Sequence, residues 1–367
     1  MRIGIDAHAI GTRAGGNETY MRELLHSLRE HGGDGEYVAL VNRGLDPGMA
    51  GELECRELPH VPAALRVPLV LPWVASRARL NLLHTQYITP PYCPCPCVVS
   101  VHDIGWVKHP ELFPPLMRTR MELLMPGTVR RAARIFVLTE AIKREIVDTY
   151  NVSPDRIDTV SPAVAPRFFV PPEQAHIDTV RCKYDLPEPF VLYMGALQPR
   201  KNVARLATAV AHLRERGLPH ALVIAGERTW MYGETLAAIE SLRLGDRLVF
   251  TGYVDGTDLP ALIRAADAFA YVSLYEGFGL PALEALACGV PVLASTDPAI
   301  QEVVADAAHT CDPFDVDAIT DGLARILEDH DYTSRLKAAG PRRASAFTRE
   351  AMAAAAMSGY RKALGKN

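Results

Sequence analysis

No uncharged apolar run in this 367-residue sequence approaches the roughly 20 residues that cross a bilayer. The nearest, 61–75, is interrupted by Pro62, Arg66, Pro68 and Pro72, which argues against a transmembrane anchor. The first residues, Met1-Arg2-Ile3-Gly4-Ile5-Asp6, run straight into a strand pattern and lack the apolar stretch of a secretory signal, so the expected location is the cytoplasm. An excess of one charge is also missing. The 39 basic and 43 acidic side chains are interspersed and sum to −4, which argues against a nucleic-acid or other polyanion partner and favours a small molecule. Cysteines number seven, an odd count scattered over a large chain, so no disulfide framework is expected. No short repeat or low-complexity tract occurs, and no Gly-x-Gly-x-x-Gly follows the first strand of either half, which counts against a dinucleotide-dependent oxidoreductase.

Two segments invite a sharper reading. The run 61–75 has a basic edge, Arg66, Arg77 and Arg79, beside Trp73, so it can lie on an anionic membrane surface at the inner face; a core-packed helix with solvated arginines is the competing reading. Cys93-Pro94-Cys95-Pro96-Cys97 lacks the two-residue gap and the second Cys/His pair of a zinc site. Its alternating prolines predict a stiff extended loop whose thiols point in differing directions, and no metal.

What the chain does have is alternation. About half of it is apolar (49%), arranged as runs of four to six residues separated by longer amphipathic segments, the pattern of parallel sheets wrapped by helices. Strands are predicted at 3–6, 37–41, 82–85, 98–101, 135–138 and 157–160, with helices such as 19–29 and 140–150 between them. Prolines at 162, 166, 171 and 172 break the rhythm and mark a boundary. Six further strands follow, at 190–194, 221–225, 248–251, 268–272, 290–294 and 307–311. The expected fold is α/β with two Rossmann-like domains facing across a cleft: 1–165, 166–345, and a terminal helix 346–367 packing back on the N-terminal domain.

Two turns of the second half carry the chemistry. After its first strand comes Gly195-Ala196-Leu197-Gln198-Pro199-Arg200-Lys201-Asn202, with Asn202 as the predicted N-cap. Arg200 and Lys201 therefore stand as two cations just before a helix N-terminus, suited to a diphosphate; a solvated basic turn is the plain alternative. The second turn, Glu276-Gly277-Phe278-Gly279-Leu280-Pro281-Ala282-Leu283-Glu284, follows a strand and opens a helix with Pro281 at its first position, which leaves Glu276 in the loop and Glu284 within the first helical turn. Glycines let the backbone approach a ligand, the N–H groups of Phe278, Gly279 and Leu280 can donate to sugar or phosphate oxygens, and the two glutamates can accept from hydroxyls of two ligand parts. A glycine bend with an acidic helix start is the alternative there. Asp315-Val316-Asp317 matches an Asp-x-Asp metal pattern but opens a helical stretch, where cap and dipole roles are expected.

The context Tyr275-Glu276-Gly277-Phe278-Gly279-Leu280-Pro281 with Glu284, continued by Ala285-Leu286-Ala287-Cys288-Gly289-Val290-Pro291-Val292, resembles the signature of retaining glycosyltransferases of family 4, as does Pro199-Arg200-Lys201-Asn202. Gly15-Gly16-Asn17, Val101-His102-Asp103, Asp267, Glu302 and Asp312-Pro313 extend the likeness over nearly the whole chain. The resemblance implies a GT-B fold, with the donor nucleotide held mainly by the C-terminal domain and no cofactor. It implies that Arg200 and Lys201 bind the diphosphate and that Glu276 holds the donor-sugar hydroxyls, helped by the backbone of Phe278 and Gly279. Glu284 would hold the ribose, Gly15 and Gly16 would close over the phosphates, and His102 would lie near the transferred sugar. The donor it implies is a nucleoside diphosphate sugar, GDP-mannose or a UDP-hexose; the partner is a hydroxyl acceptor on a sugar, a lipid-linked group or a small molecule. Two departures stand out. Ser161-Pro162-Ala163-Val164-Ala165 replaces the common Asn-Gly-Val-Asp, and Asn17-Glu18-Thr19 replaces Ile-Gly-Arg in the first loop, so acceptor identity is not inherited. A non-catalytic relative that binds nucleotide sugars is the remaining alternative.

Overall fold

Short apolar runs bounded by turns bury both faces of a strand, which suits a parallel sheet covered by helices. A computed structural model describes residues 1–12, 15–45, 47–50 and 53–366. The chain divides into two compact units, Met1–Pro110 with Pro115–Ala163 and Phe347–Asn367, and Glu111–Pro114 with Val164–Ala346.

In the first unit the strands are β1 (Arg2–Asp6), β2 (Glu36–Asn42), β3 (Glu54–Leu58), β4 (Leu82–Gln86), β5 (Cys97–Ser100), β6 (Arg134–Val137) and β7 (Ile157–Thr159). Among the described residues they form one sheet in the order β3-β2-β1-β4-β5-β6-β7. Every pairing is parallel. Strand β3 was not among the sequence-predicted elements. It is an edge strand, and its sequence Glu-Cys-Arg-Glu-Leu leaves most side chains outside the core. Charge sets its place instead: the Arg2 guanidinium on β1 donates to Glu36 at 2.7 Å on β2 and to Glu54 at 2.6 Å on β3.

The helix Arg349–Ala363 completes this unit. Arg349 donates to Glu23 at 2.8 Å and Glu30 at 2.6 Å on the helix Gly16–His31. Tyr360 OH bonds the buried Nδ1 of His84 on β4 at 2.7 Å. Gly359 lies so close to β6 that a Cβ there would come within 2.3 Å of Phe136.

The segment 63–77 folds as a short α-turn Ala63–Leu65, a π-helical stretch Arg66–Val70 and the helix Leu71–Arg77. Pro68 and Pro72 have no N–H to give to the carbonyls four residues back, so the ladder widens here and Leu71 N–H reaches Arg66 O. Arg66 is not on a solvent-facing basic edge as the sequence suggests; its side chain is largely covered and turned toward the buried Asp6 carboxylate at 4.0 Å. Leu65, Leu69 and Trp73, one helical turn apart, are exposed at 49, 62 and 58%. Among the described residues no helix is long and apolar enough to cross a membrane.

In the second unit the strands are β8 (Phe190–Met194), β9 (Ala221–Ala225), β10 (Leu248–Gly252), β11 (Ala268–Tyr271), β12 (Val292–Ser295) and β13 (His309–Cys311). Their order is β10-β9-β8-β11-β12-β13, all parallel. The order reverses between β8 and β11. In open α/β sheets that reversal opens a crevice at the carboxyl ends of the strands. The turns that leave β8 and β11 flank it.

Candidate active site

Two loops leave the switch point and are stitched together by their backbones and by one asparagine. Leu274 N–H donates to Arg200 O at 2.8 Å. Asn202 adopts φ 60°, and its side chain does not cap the helix Val203–Glu215. Asn202 holds the predicted N-cap position, but in a left-handed conformation its side chain turns away from the helix N–H groups. Its amide donates instead to Val272 O at 3.0 Å, just past β11, and to Pro313 O at 2.6 Å, past β13.

That stitching brings Arg200, Lys201 and Glu276 into one buried cluster. Lys201 Nζ donates to Tyr271 OH at 2.8 Å and to Glu276 Oε1. Arg200 Nη1 donates to Glu276 Oε2 at 3.0 Å and to Tyr275 O at 3.2 Å, and its Nε is held by Gln198 Oε1 at 3.0 Å. Tyr271 OH donates to Glu276 Oε1 at 3.0 Å. Burial opposes the charge on Glu276, but Lys201 and then Arg200 outweigh it and bring its pKa down to about 2. Two cations against one carboxylate leave the cluster net positive. Burial and the Glu276 charge raise the phenol of Tyr271 well above its ordinary value, so it stays a neutral donor.

The loop continues into the helix Leu280–Ala287, which Gly279 caps at φ 92°, a conformation that favours glycine. Glu284 is buried and is the fifth residue of that helix, just beyond the first turn where the sequence placed it. Next to this loop, Asp297 caps the helix Pro298–Val304 through the N–H groups of Ala299 and Ile300. It also accepts from the Glu276 N–H. Burial, with the Glu276 charge adding, raises its pKa to about 7. Neither Tyr271 nor Asp297 was singled out in the sequence. Tyr271 sits inside an apolar strand run and reads as core; Asp297-Pro298 is a visible cap signal with nothing to mark its contact with Glu276.

A cavity of about 560 Å³ opens at the carboxyl ends of β8, β9 and β10, lined by Leu197, Gly226, Glu227, Arg228, Phe250, Thr251 and Gly252. Gly226 lets β9 approach the β8 turn closely: a Cβ there would lie 2.1 Å from Gly195 O. Asp315 of the Asp-x-Asp pattern accepts from the N–H groups of Asp317 and Ala318 and caps the helix Val316–Glu328.

In the first unit, Gly15 (φ 59°) caps the helix Gly16–His31, and among the described residues other than the chain neighbours and the helix's own backbone no heavy atom lies within 4 Å of a Cβ built on Gly15 or Gly16. The next residue, Asn17, pairs its Oδ1 with His102 Nδ1 at 2.7 Å. Burial drives the His102 pKa down to about 3, so the ring is neutral; with Nδ1–H given to Asn17, Nε2 carries the lone pair. That Nε2 is buried without a partner among the described residues. Asp103, next to His102 in sequence, turns elsewhere and accepts from Gly105 N–H at 3.1 Å.

The same two units recur in known proteins. Residues 180–343 match the family described as glycosyl transferases group 1, and residues 14–168 match Glycosyltransferase Family 4. O-antigen chain mannosyltransferase B of Escherichia coli is 34% identical over 255 residues, covering 69% of this chain and 67% of that protein. The serotype-specific mannosyltransferase WbdA of Escherichia coli is 31% identical over 241 residues, 64% of this chain, which spans only 29% of its length. Among solved structures, sucrose-phosphate synthase from Thermosynechococcus elongatus superposes with a TM-score of 0.78 at 22% identity, covering 98% of both chains. Anabaena HepE in complex with UDP-glucose superposes at 0.76 and 18% identity, covering 97% of this chain and 98% of that one. The fold is GT-B. This chain belongs to the family 4 type of glycosyltransferases.

Proposed function

We propose that the protein is a retaining, metal-independent hexosyltransferase that moves a mannose- or glucose-type sugar from a nucleoside diphosphate to a hydroxyl acceptor. The observation that carries this reading is the net-positive Arg200–Lys201–Glu276 cluster at the strand-order reversal, beside the start of the helix Leu280–Ala287. Breaking a sugar–diphosphate bond leaves added negative charge on the departing diphosphate. Fixed cations and a helix N-terminus stabilise that charge more in the transition state than in the bound donor. Arg200 and Lys201 take this role. Glu276, with the Gly277, Phe278, Gly279 and Leu280 backbone, takes the sugar, and Glu284 the ribose.

The cavity of Leu197, Arg228 and Phe250 takes the base, because it adjoins the basic turn at the carboxyl ends of the same strands. The first unit supplies the neutral His102 and the open Gly15–Gly16 turn. No side chain is assigned as nucleophile; the leaving phosphate accepts the acceptor proton as the hydroxyl attacks from the same face. Relatives named as mannosyltransferases favour mannose as the transferred sugar, while a neighbour solved with UDP-glucose supports a nucleoside diphosphate sugar more generally. The exposed Leu65, Leu69 and Trp73 with neighbouring Arg77, whose guanidinium lies 5.7 Å over the Trp73 ring, fit peripheral contact with an anionic membrane from the cytoplasmic side.

The test is release of nucleoside diphosphate from a panel of nucleotide sugars, with and without a chelator. Turnover of one hexose donor, unchanged by chelation, is expected. No turnover of any donor removes the reading; loss on chelation removes its metal-free part.

A further inference from the structure

The three thiols of Cys93-Pro94-Cys95-Pro96-Cys97 do not splay apart as an extended proline-stiffened loop predicts. The segment bends at 91–92 and again at 94–95 before entering β5, and the bends bring Cys93 Sγ to 3.7 Å from Cys95 Sγ. Cys97 is buried, while Cys93 and Cys95 are half-buried and within reach of small molecules. All seven cysteines are free thiols. We propose that Cys93 and Cys95 are a modification site, a dithiol that reacts with small disulfides and closes reversibly into a Cys93–Cys95 disulfide.

Geometry supports the pairing. Two residues apart, the Cα atoms are separated by at most about 7 Å, and a bent loop shortens that into the range a disulfide spans. The prolines between and after the pair restrict the backbone and hold the sulfurs together. Cys93 is the attacking sulfur: Cys95 Sγ lies beside it and can give it an S–H, its pKa falls well below the usual thiol value while that of Cys95 rises, and Cys97 gives its S–H to the Cys95 carbonyl oxygen at 3.8 Å. The surroundings favour return to the thiols, since a disulfide closed across a single residue is strained and readily reduced.

The chemistry balances with a small disulfide such as oxidised glutathione. The Cys93 thiolate attacks one sulfur, the oxidant's S–S bond breaks, and one glutathione thiolate leaves. Cys95 loses its proton and attacks Cys93 Sγ in the mixed disulfide, expelling the second glutathione. Two electrons pass from the pair to the oxidant, which is recovered as two thiols. Cys97 stays a thiol. The site is independent of the transferase reading, because none of its residues is assigned a part in holding the donor.

The experiment exposes the full chain to excess oxidised glutathione near neutral pH, alkylates the remaining thiols, and measures intact and peptide masses. Cys93 and Cys95 are expected to escape alkylation, the peptide spanning 93–95 to lose two hydrogens and retain no glutathione, and dithiothreitol to restore both thiols, whereas the exposed Cys182 can carry an adduct of its own. In Cys95→Ser a glutathione adduct is expected to persist on Cys93; Cys288→Ser is expected to behave as the parent. Reactive thiols at both Cys93 and Cys95 after oxidation, a disulfide joining either to another cysteine, or a lasting adduct on Cys93 or Cys95 of the parent chain would each overturn the site. Absence of an adduct in Cys95→Ser would overturn Cys93 as the attacker.

Discussion

The ammonium of Lys201 meets the carboxylate of Glu276 across the point where the strand order of the second sheet reverses. The lysine comes from the turn after β8 and the glutamate from the turn after β11, so neither loop alone makes the cluster. Arg200 on the second carboxylate oxygen fixes the orientation of Glu276, and Tyr271 fixes the lysine.

Lys201→Ala is expected to lower turnover more than tenfold, because a positioned charge on a departing anion is worth a few kcal/mol. The loss of stability should be smaller, about 1–3 kcal/mol, since Arg200 still pairs the buried carboxylate. Steady-state kinetics and urea unfolding separate the two, and an undiminished rate would place the basic turn away from the diphosphate.

Asn202 offers a test of the loop stitching. Asn202→Gly tolerates φ 60° but loses the bonds to Val272 O and Pro313 O, so a cost of about 1–3 kcal/mol is expected. Asn202→Ala should cost about 1 kcal/mol more, for forcing a side chain into the left-handed region. Equal urea midpoints for the two variants would show that backbone strain contributes nothing there.

Asp297 sets a pH dependence. Its pKa is raised from 3.8 to about 7 in the folded chain, so between those values the native state holds a proton that the unfolded chain has released. Its contribution to stability is complete below about 4 and is lost as pH rises through about 7. An asparagine at this position would keep the cap without titrating, so Asp297→Asn is expected to gain on the parent from pH 5 to pH 8 in urea midpoint. Parallel curves would contradict the assignment.

Trp73→Ala combined with Leu69→Ala is expected to weaken sedimentation with vesicles containing anionic lipid by more than threefold, leaving turnover of a soluble acceptor unchanged. Both side chains are more than half exposed, so the double variant removes apolar surface without opening a core. Equal sedimentation of variant and parent would assign the exposed stripe another role.

The sequence was most legible where burial is complete. Strands β8 and β9 lie at the residues predicted because Phe-Val-Leu-Tyr-Met and Ala-Leu-Val-Ile-Ala are apolar throughout and bounded by turns. Strand β3 escaped because its pairing rests on Arg2 and two glutamates rather than on apolar surface. Asn202 was legible as the N-cap, but the bonds its side chain makes were not, since they reach carbonyls 70 and 111 residues away. The contact of Asp297 with Glu276 and the gathering of Cys93 with Cys95 are likewise products of chain path. Residue type alone carries no sign of either.

The discontinuity of the first unit has a consequence for biosynthesis. Its sheet is complete by residue 159, yet His84, Glu23 and Phe136 pack against a helix that begins at residue 349. A ribosome therefore releases the whole second unit before the first can finish its core. The later-made unit is free to reach its native state first, while the earlier one waits half-built and exposed to chaperones and proteases. Truncations that remove residues 347–366 are for this reason expected to damage the amino-terminal unit more than the unit they adjoin in sequence.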